Sequence, residues 1–395
     1  MNKNKIVLAM LLACGSAHAA SPRIVGGDEV STAPSWMASL QARNSLTGVT
    51  YGHICGATLI SPEWMMTAAH CVDGAGTAER TLLIGRSSSA VDEKSEVAID
   101  QIIIHPGWGG IIDGTTSDLT DFQDDIALLH LAASQSADPV TRATSAQQES
   151  LTTYQDVTAI GWGATNGAGT LYPEQLQQVT LPYQGKAYSS YLPNHLFAGG
   201  FNGEGICFGD SGGPLLIGNT QYGISSMVLG TSDFTTLLCG DDSTLGGFTA
   251  VADYSDWIND KLQGLNYGNY QHILLTSGST SQASFVIRNL DDVTWSISNV
   301  AADVTLDDQC SGQSLAPGAS CTLIASYTGS SLGTVSRSIT FTATAGDSTV
   351  QGSMQLDAET VHVQVEDDMS DGDGGGSAGW LALAGLGLLG WRRRR

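Results

Sequence analysis

Short apolar runs alternate with turn clusters of Gly, Pro, Asn, Asp and Ser roughly every ten residues along most of the chain. That pattern predicts a mostly β protein. Helical spacing is sustained only at residues 254–262, where Tyr254, Trp257, Ile258 and Lys261 fall on one side and predict an amphipathic surface helix that closes a structural unit. Beyond about residue 267 the runs continue as expected strands at 284–289, 295–297, 321–327, 338–345 and 361–365, with turns such as Pro317-Gly318 between them. The two ends differ. An apolar stretch at 6–13 follows Lys3 and Lys5, and another at 378–391 precedes four arginines, Arg392 to Arg395.

A chain of 395 residues is long for one domain and predicts about two, plus processing segments. The basic start, apolar run and small residues ending Ala17-His18-Ala19 predict a signal peptide at 1–19 and export, followed by a short propeptide at 20–23. Leu11-Leu12-Ala13-Cys14 also resembles a lipoprotein processing box, which would instead make Cys14 the lipidated terminus. Residues 24–265 read as one unit and 267–365 as a β-sandwich of immunoglobulin-like size. An acidic, glycine-rich linker occupies 366–377 and a hydrophobic segment with its arginine tail 378–395.

The formal net charge is −23, with Lys and Arg gathered at the chain ends. No basic stripe exists to meet phosphates, so nucleic acid is excluded as a partner; the acidic surface suits solubility, including in salty media. With Cys14 in the leader, six cysteines remain: Cys55, Cys71, Cys207, Cys239, Cys310 and Cys321. An even number in an exported chain favours disulfides, and pairing each with its nearest neighbour closes three local loops among the fifteen possible arrangements. No Cys-x-x-Cys spacing points to zinc.

Three strings carry chemistry. Gly209-Asp210-Ser211-Gly212-Gly213-Pro214 surrounds a serine with glycines, so the amides of Gly209 and Ser211 are candidates to face an oxyanion. Thr67-Ala68-Ala69-His70-Cys71 places a histidine beside a cysteine able to tether its loop, and Asp125 directly precedes the apolar run Ile126-Ala127-Leu128-Leu129. In the order His, Asp, Ser, these strings resemble the trypsin and chymotrypsin family of serine proteases over residues 24 to about 262, and Gly161-Trp162-Gly163 matches a further family signature. The resemblance implies an all-β fold of two six-stranded β-barrels, followed here by the immunoglobulin-like β-sandwich, and a serine endopeptidase. Ser211 is then the nucleophile, His70 the general base, Asp125 the carboxylate that orients the imidazole, and the Gly209 and Ser211 amides the oxyanion hole. No cofactor or metal is implied.

Arg23-Ile24-Val25-Gly26-Gly27 resembles the family's activation site. Cleavage after Arg23 would free the Ile24 amine to pair with Asp210, which makes the chain a zymogen awaiting an activating protease. Six residues before Ser211, at the base of the family's primary pocket, stands Gly205 where trypsin-like enzymes carry an aspartate. Ile206, Ser226, Val228 and Gly246 match other pocket positions, with Ile206 and Val228 narrowing it. The expected preference is for small or medium apolar residues; Glu204, Asp241 or Asp242 acting as a relocated acid would instead favour Arg or Lys.

Two bridges, Cys55 with Cys71 and Cys207 with Cys239, match family disulfides, while others common in the animal enzymes have no cysteines here. Arg86 stands where calcium-binding relatives carry an acid, so no calcium site is expected in that loop; plain surface charge accounts for Asp92, Glu93 and Glu96.

The tail, Gly374-Gly375-Gly376-Ser377 with its apolar segment and arginines, resembles the GlyGly-CTERM sorting signal of Gram-negative bacteria. That implies cutting by a rhomboid-type sorting protease and export by type II secretion, with transient membrane attachment; a simple single-span anchor is the alternative. The second domain reads either as a spacer or folding partner, or as a binding module for surface glycoproteins, on an expected monomer. A non-catalytic adhesin on a protease-like scaffold is the competing reading for the whole chain. It would require a broken triad, and all three strings are intact.

Overall fold

In the computed structural model, which describes residues 24–110, 122–186, 192–200, 203–230, 239–240 and 244–362, the apolar runs close into two rings of six strands. The first ring runs Met37–Arg43, Thr50–Ser61, Trp64–Thr67, Ala127–Leu131, Val97–Ile104, Arg80–Ile84 and back to its start. The second runs Asp156–Gly161, Gln177–Lys186, His195–Gly199, Thr244–Ala250, Thr220–Gly230 and Pro214–Ile217, which pairs again with Asp156–Gly161. These are the two barrels expected from the sequence resemblance. Closure removes exposed strand edges, and the large apolar side chains of each strand fill the interior. Met37, Leu40, Leu59, Met65 and Leu128 in the first barrel and Leu181, Leu196, Leu215 and Phe248 in the second are wholly buried.

The barrels meet through polar as well as apolar contacts. Thr58 Oγ1 donates to Gln221 Oε1 at 2.8 Å, Trp36 Nε1 to Asn219 Oδ1 at 2.8 Å, and the Gly56 amide to the Ser211 carbonyl at 2.7 Å. Each donor comes from the first barrel and each acceptor from the second. The seam is thereby fixed in register, and loops from both sides face one another across it.

Beyond the second barrel a 3₁₀ turn, Val251–Tyr254, leads into the helix Ser255–Gln263, so the expected helix starts one residue late and is capped by Gly264. Leu265, assigned by sequence to the first unit, belongs instead to the C-terminal region. Once Gly264 ends the helix, Leu265–Tyr267 pairs with Thr280–Asn289 and the Leu265 side chain enters the C-terminal core. This region has two sheets around one core. Four strands run Leu265–Tyr267, Thr280–Asn289, Ser320–Thr328, Thr305–Asp308; five run Tyr270–Thr276, Ser348–Val361, Gly333–Ala345, Trp295–Ala302, Ser314–Leu315. Alternation builds it: Ala283, Phe285 and Ile287 point inward between exposed or half-buried Ser284, Val286 and Arg288.

Of the expected strand at 361–365, Val361 ends a strand and residues 363–365 lie outside the described residues. The last strand among the described residues is Ser348–Val361, a hairpin partner of Gly333–Ala345. Its inward positions are Gly352, Met354, Leu356 and Ala358, and the apolar signal is weak because Gly352 lies opposite Phe341 and leaves room for that ring. All six cysteines pair as expected: Cys55–Cys71, Cys207–Cys239 and Cys310–Cys321. Arg23, Asp241, Asp242, the leader, the linker and the C-terminal segment lie outside the described residues. Among the described residues no helix is long and apolar enough to cross a membrane.

The C-terminal sheets pack on the first barrel through an ion cluster. His272 Nδ1 lies 2.7 Å from Glu79 Oε2, and its Nε2 lies 3.6 Å from Glu359 Oε2. Burial alone would lower the imidazole pKa, but the two carboxylates outweigh it and push the pKa up to about 9. An unfolded histidine titrates near 6.5, so this cluster stabilises fully below about pH 6.5 and is lost as pH rises through about 9, on the order of 3 kcal/mol in all. Scanning calorimetry should find the melting temperature falling across that upper range, and His272→Gln should flatten this part of the pH dependence.

Candidate active site

The strand Trp64–Thr67 delivers the chain to the seam between the barrels, where Ala68 and Ala69 are fully buried and the short 3₁₀ turn Ala69–Cys71 presents His70. Alanines suit this position because any larger side chain would lift the turn off the core. The Cys55–Cys71 disulfide ties the turn to the neighbouring strand Thr50–Ser61, and a crosslink of this loop length contributes about 3 kcal/mol.

Asp125 sits opposite, wholly buried, just ahead of the strand Ala127–Leu131. Its Oδ2 is 2.8 Å from His70 Nδ1 and accepts from Ser226 Oγ at 2.6 Å; its Oδ1 accepts from the His70 amide at 2.9 Å. The Asp125 carbonyl accepts from Thr249 Oγ1 at 3.0 Å. Burial would raise the carboxyl pKa, yet the His70 charge and these donors hold it below the ordinary value. Burial likewise opposes protonation of His70, but the charge and hydrogen bond of Asp125, with help from Asp73, keep its pKa above 6.5. Because a carboxylate only accepts, Nδ1 carries the proton in neutral His70 and Nε2 is left as the base.

Ser211 lies on the loop ahead of the strand Pro214–Ile217, between Gly209 with φ +98° and Gly212 with φ +76°. A Cβ at Gly212 would run into Thr67 Oγ1 and the Gly56 carbonyl, so only glycine lets the serine loop approach the His70 strand. The amides of this loop divide sharply. Asp210 N–H donates to the Cys207 carbonyl at 3.0 Å, Gly212 N–H to Ser225 at 2.8 Å and Gly213 N–H to Asp210 at 2.9 Å. Gly209 N–H and Ser211 N–H have no acceptor among the described residues.

Asp210 turns away from Ser211 into the interior, where the Gly163 amide donates to Oδ1 at 2.8 Å and the Cys207 amide to Oδ2 at 2.9 Å. A Cβ at Gly161 or Gly163 would collide with this carboxylate, which is the physical reason for glycines on both sides of Trp162. No cationic side chain among the described residues pairs with Asp210, and burial pushes its pKa up to about 7. Ile24 is buried in the second-barrel core.

The expected pocket positions lie together. Gly205 packs on Gly240, while Ile206 and Phe248 crowd Gly246, so that a Cβ there would sit 3.0 Å from Ile206 Cγ1. Val228 packs against both this cluster and the Cys207–Cys239 disulfide. The Ser226 hydroxyl is committed to Asp125. Glu204 lies against Gly26. Arg86 donates to Asp92 at 2.6 Å and to Ser95 at 2.8 Å, so Asp92 serves an ion pair within its own loop. Among the described residues the one group with metal-like spacing is Cys55, His70 and Cys71, and both sulfurs there are held in a disulfide, which leaves no thiolate to ligate.

His53 was not foreseen. Its ring spans Ser39 Oγ at 2.8 Å and the Gly209 carbonyl at 2.9 Å, and packs on Trp162 with centroids 5.2 Å apart. Burial lowers its pKa to about 4, although the Gly209 contact opposes this, so the ring is neutral. The carbonyl can only accept; Nε2 therefore donates to Gly209 and Nδ1 accepts from Ser39, which fixes the peptide on one side of the free Gly209 amide. A lone histidine two residues before Cys55 offers no sequence signal of this contact.

The family model described as Trypsin matches residues 24–258. Chymotrypsin-like elastase family member 1 of Homo sapiens is 33% identical over 253 residues, which cover 60% of this chain and 92% of that protein. Its Bos taurus counterpart is 32% identical over 253 residues, 61% of this chain and 90% of that protein, and Salmo salar trypsin-3 is 27% identical over 250 residues, 61% and 93%. The solved structure of the Vibrio cholerae VesB protease aligns with a TM-score of 0.56 and 21% identity over 86% of this chain and 100% of that one. The secreted serine protease VesC from Vibrio cholerae aligns with a TM-score of 0.57 and 21% identity over 84% and 71%. Both alignments share a fold that extends past the barrels.

Ser226→Ala removes one donor from Asp125 and leaves a more basic carboxylate. The expected result is a further rise in the His70 pKa, read by nuclear magnetic resonance titration of its ring.

Proposed function

The chain belongs to the trypsin family, and from that premise we propose that it is an exported serine endopeptidase, made as a zymogen, in which Ser211 attacks the scissile carbonyl and His70 takes its proton. Asp125 holds the imidazole in the required tautomer, and the amides of Gly209 and Ser211 receive the oxyanion. One observation carries this reading. Along 209–213 the amides of Asp210, Gly212 and Gly213 are engaged, while those of Gly209 and Ser211 have no acceptor among the described residues, in a chain that also holds a buried His70–Asp125 pair. Donors held ready in this way are worth about 10²- to 10³-fold each in rate.

Two features support latency. Asp210 is buried with two amides and no cation among the described residues, an arrangement that costs several kcal/mol for a charged carboxylate. Its raised pKa makes that cost grow as pH rises from about 4 to about 7. An ammonium freed at Ile24 by cleavage after Arg23 would supply the missing charge and hold Gly209 and Ser211 in place.

For specificity, a pocket floored by Gly205 and narrowed by Ile206 and Val228 favours small or medium apolar side chains, and the elastase names among the relatives agree with that. Glu204 packed against Gly26 gives no support to a relocated acid. The secreted VesC among the structural neighbours supports export. The immunoglobulin-like character of the C-terminal sheets, and a tail handled by a rhomboid-type protease and type II secretion, complete the proposal.

The test uses a fluorophosphonate probe and matched peptides ending in Ala, Val, Leu, Phe or Arg. After cleavage at Arg23 the probe should label Ser211, and Arg23→Gln and Ser211→Ala should each abolish labelling. Turnover of Ala or Val peptides should exceed that of Arg by about tenfold or more, the scale that pocket fit supplies. Absent labelling would overturn the enzyme, and fastest turnover of Arg would overturn the pocket.

A further inference from the structure

Both proton-handling residues stand on segments that the C-terminal region grips. The turn after His70 runs through Cys71, whose carbonyl accepts from Arg80 Nε at 3.1 Å; Arg80 also donates to the neighbouring Glu79 carbonyl at 3.0 Å. Glu79 is buried, and its Oε2 accepts from the Gly76 amide at 2.9 Å while facing His272 Nδ1 at 2.7 Å. Thr77 donates to Gln271 Oε1 from its amide at 3.1 Å and from its hydroxyl at 3.3 Å. A Cβ at Gly76 would run into the His272 carbonyl, so the backbones of turn and strand lie directly on one another.

A second grip acts on the Asp125 side. Asn269 Oδ1 accepts from the Ile104 amide at 3.0 Å, and Asn269 Nδ2 donates to the Ile104 carbonyl at 2.7 Å. Ile104 pairs with Ala127, two residues after Asp125. Between the grips, Tyr270 is buried in the first-barrel core and its hydroxyl donates to Asp357 Oδ2 at 3.0 Å on the last strand. Gln101 Nε2 reaches Asn266 Oδ1 at 3.2 Å on the same face. A tether between independent modules needs none of this; flexible linkers leave both partners satisfied on their own.

We infer that residues 266–272 form a clamp that positions the His70–Asp125 pair, so that the C-terminal region is a working part of the catalytic unit. His272 and Asn269 are positioning residues that act through Glu79, Arg80 and the Cys71 carbonyl on one side and through Ile104 on the other. The inference rests on the proposed roles of His70 and Asp125. Its physical basis is leverage: loosening either segment lets the imidazole drift from the carboxylate, and a misplacement of about 1 Å far from the reacting atoms costs up to about 10²-fold in rate.

The test measures kcat, KM and the acid limb of kcat/KM on a small peptide for the full chain, cleaved after Arg23, below the melting temperature of every variant. Asn269→Ala and His272→Ala should each lower kcat by about 10-fold or more with KM within about twofold. The acid limb should move to lower pH in both, because His70 loses part of the Asp125 interaction that raises its pKa. His272→Gln, which keeps a donor toward Glu79, should return kcat to within about threefold of the parent. If His272→Ala does not fold, Glu359→Gln and Gln271→Ala remove single contacts and are read the same way. Folded variants that melt earlier yet keep kcat and the acid limb would overturn the clamp. A parent chain that fluorophosphonate does not label would instead sink the underlying enzyme reading.

Discussion

A fully buried carboxylate must be surrounded by donors, and Asp125 draws them from the whole seam. His70 supplies its ring and amide from one loop of the first barrel, Ser226 its hydroxyl from the second barrel, and Thr249 anchors the backbone from the adjacent strand. None of these groups is near Asp125 in the chain; the smallest separation is 55 residues. The carboxylate therefore stays buried and ionised only if both barrels are closed and correctly apposed. The same geometry fixes the tautomer of His70 and leaves its other nitrogen unprotonated. Structure and chemistry thus share one constraint.

Asp210 shows the converse. It is as deeply buried, but among the described residues only two amides attend it, and its pKa rises where that of Asp125 falls. One acid is surrounded by donors and the other has no cation beside it among the described residues. The glycines of Gly161-Trp162-Gly163 make room for that second carboxylate, and His53 holds the Gly209 peptide through a neutral ring, so the loop carrying the free amides is held from one side.

The strings around His70, Asp125 and Ser211, the disulfide pairs, the barrels and the closing helix were legible in the sequence because each is local: a glycine-framed serine, a cysteine beside a histidine, a short period. Contacts between distant segments were not. The hydroxyl contact of Ser226 with Asp125 was not foreseen; it follows from a register shift of the strand between Ser225 and Met227. His53, Asn269 and His272 meet their partners 156, 165 and 193 residues away, and nothing around them in the chain announces it. The strand Ser348–Val361 escaped notice because Gly352 replaces an apolar residue opposite Phe341. The C-terminal region looked like a bystander for the same reason: its own alternation is clear, while its polar grip on the first barrel is written one residue at a time.

In the proposed reading, that grip, the seam and the serine loop all serve the placement of the His70 imidazole that Asp125 holds. The most direct measurement is the turnover of Asp125→Asn, activated by cleavage after Arg23 and verified as folded. An amide in place of the carboxylate keeps the shape but offers His70 the wrong partner, so kcat near neutral pH should fall on the order of 10⁴-fold with KM little changed. A loss smaller than about tenfold would contradict the claim that this buried pair drives the chemistry.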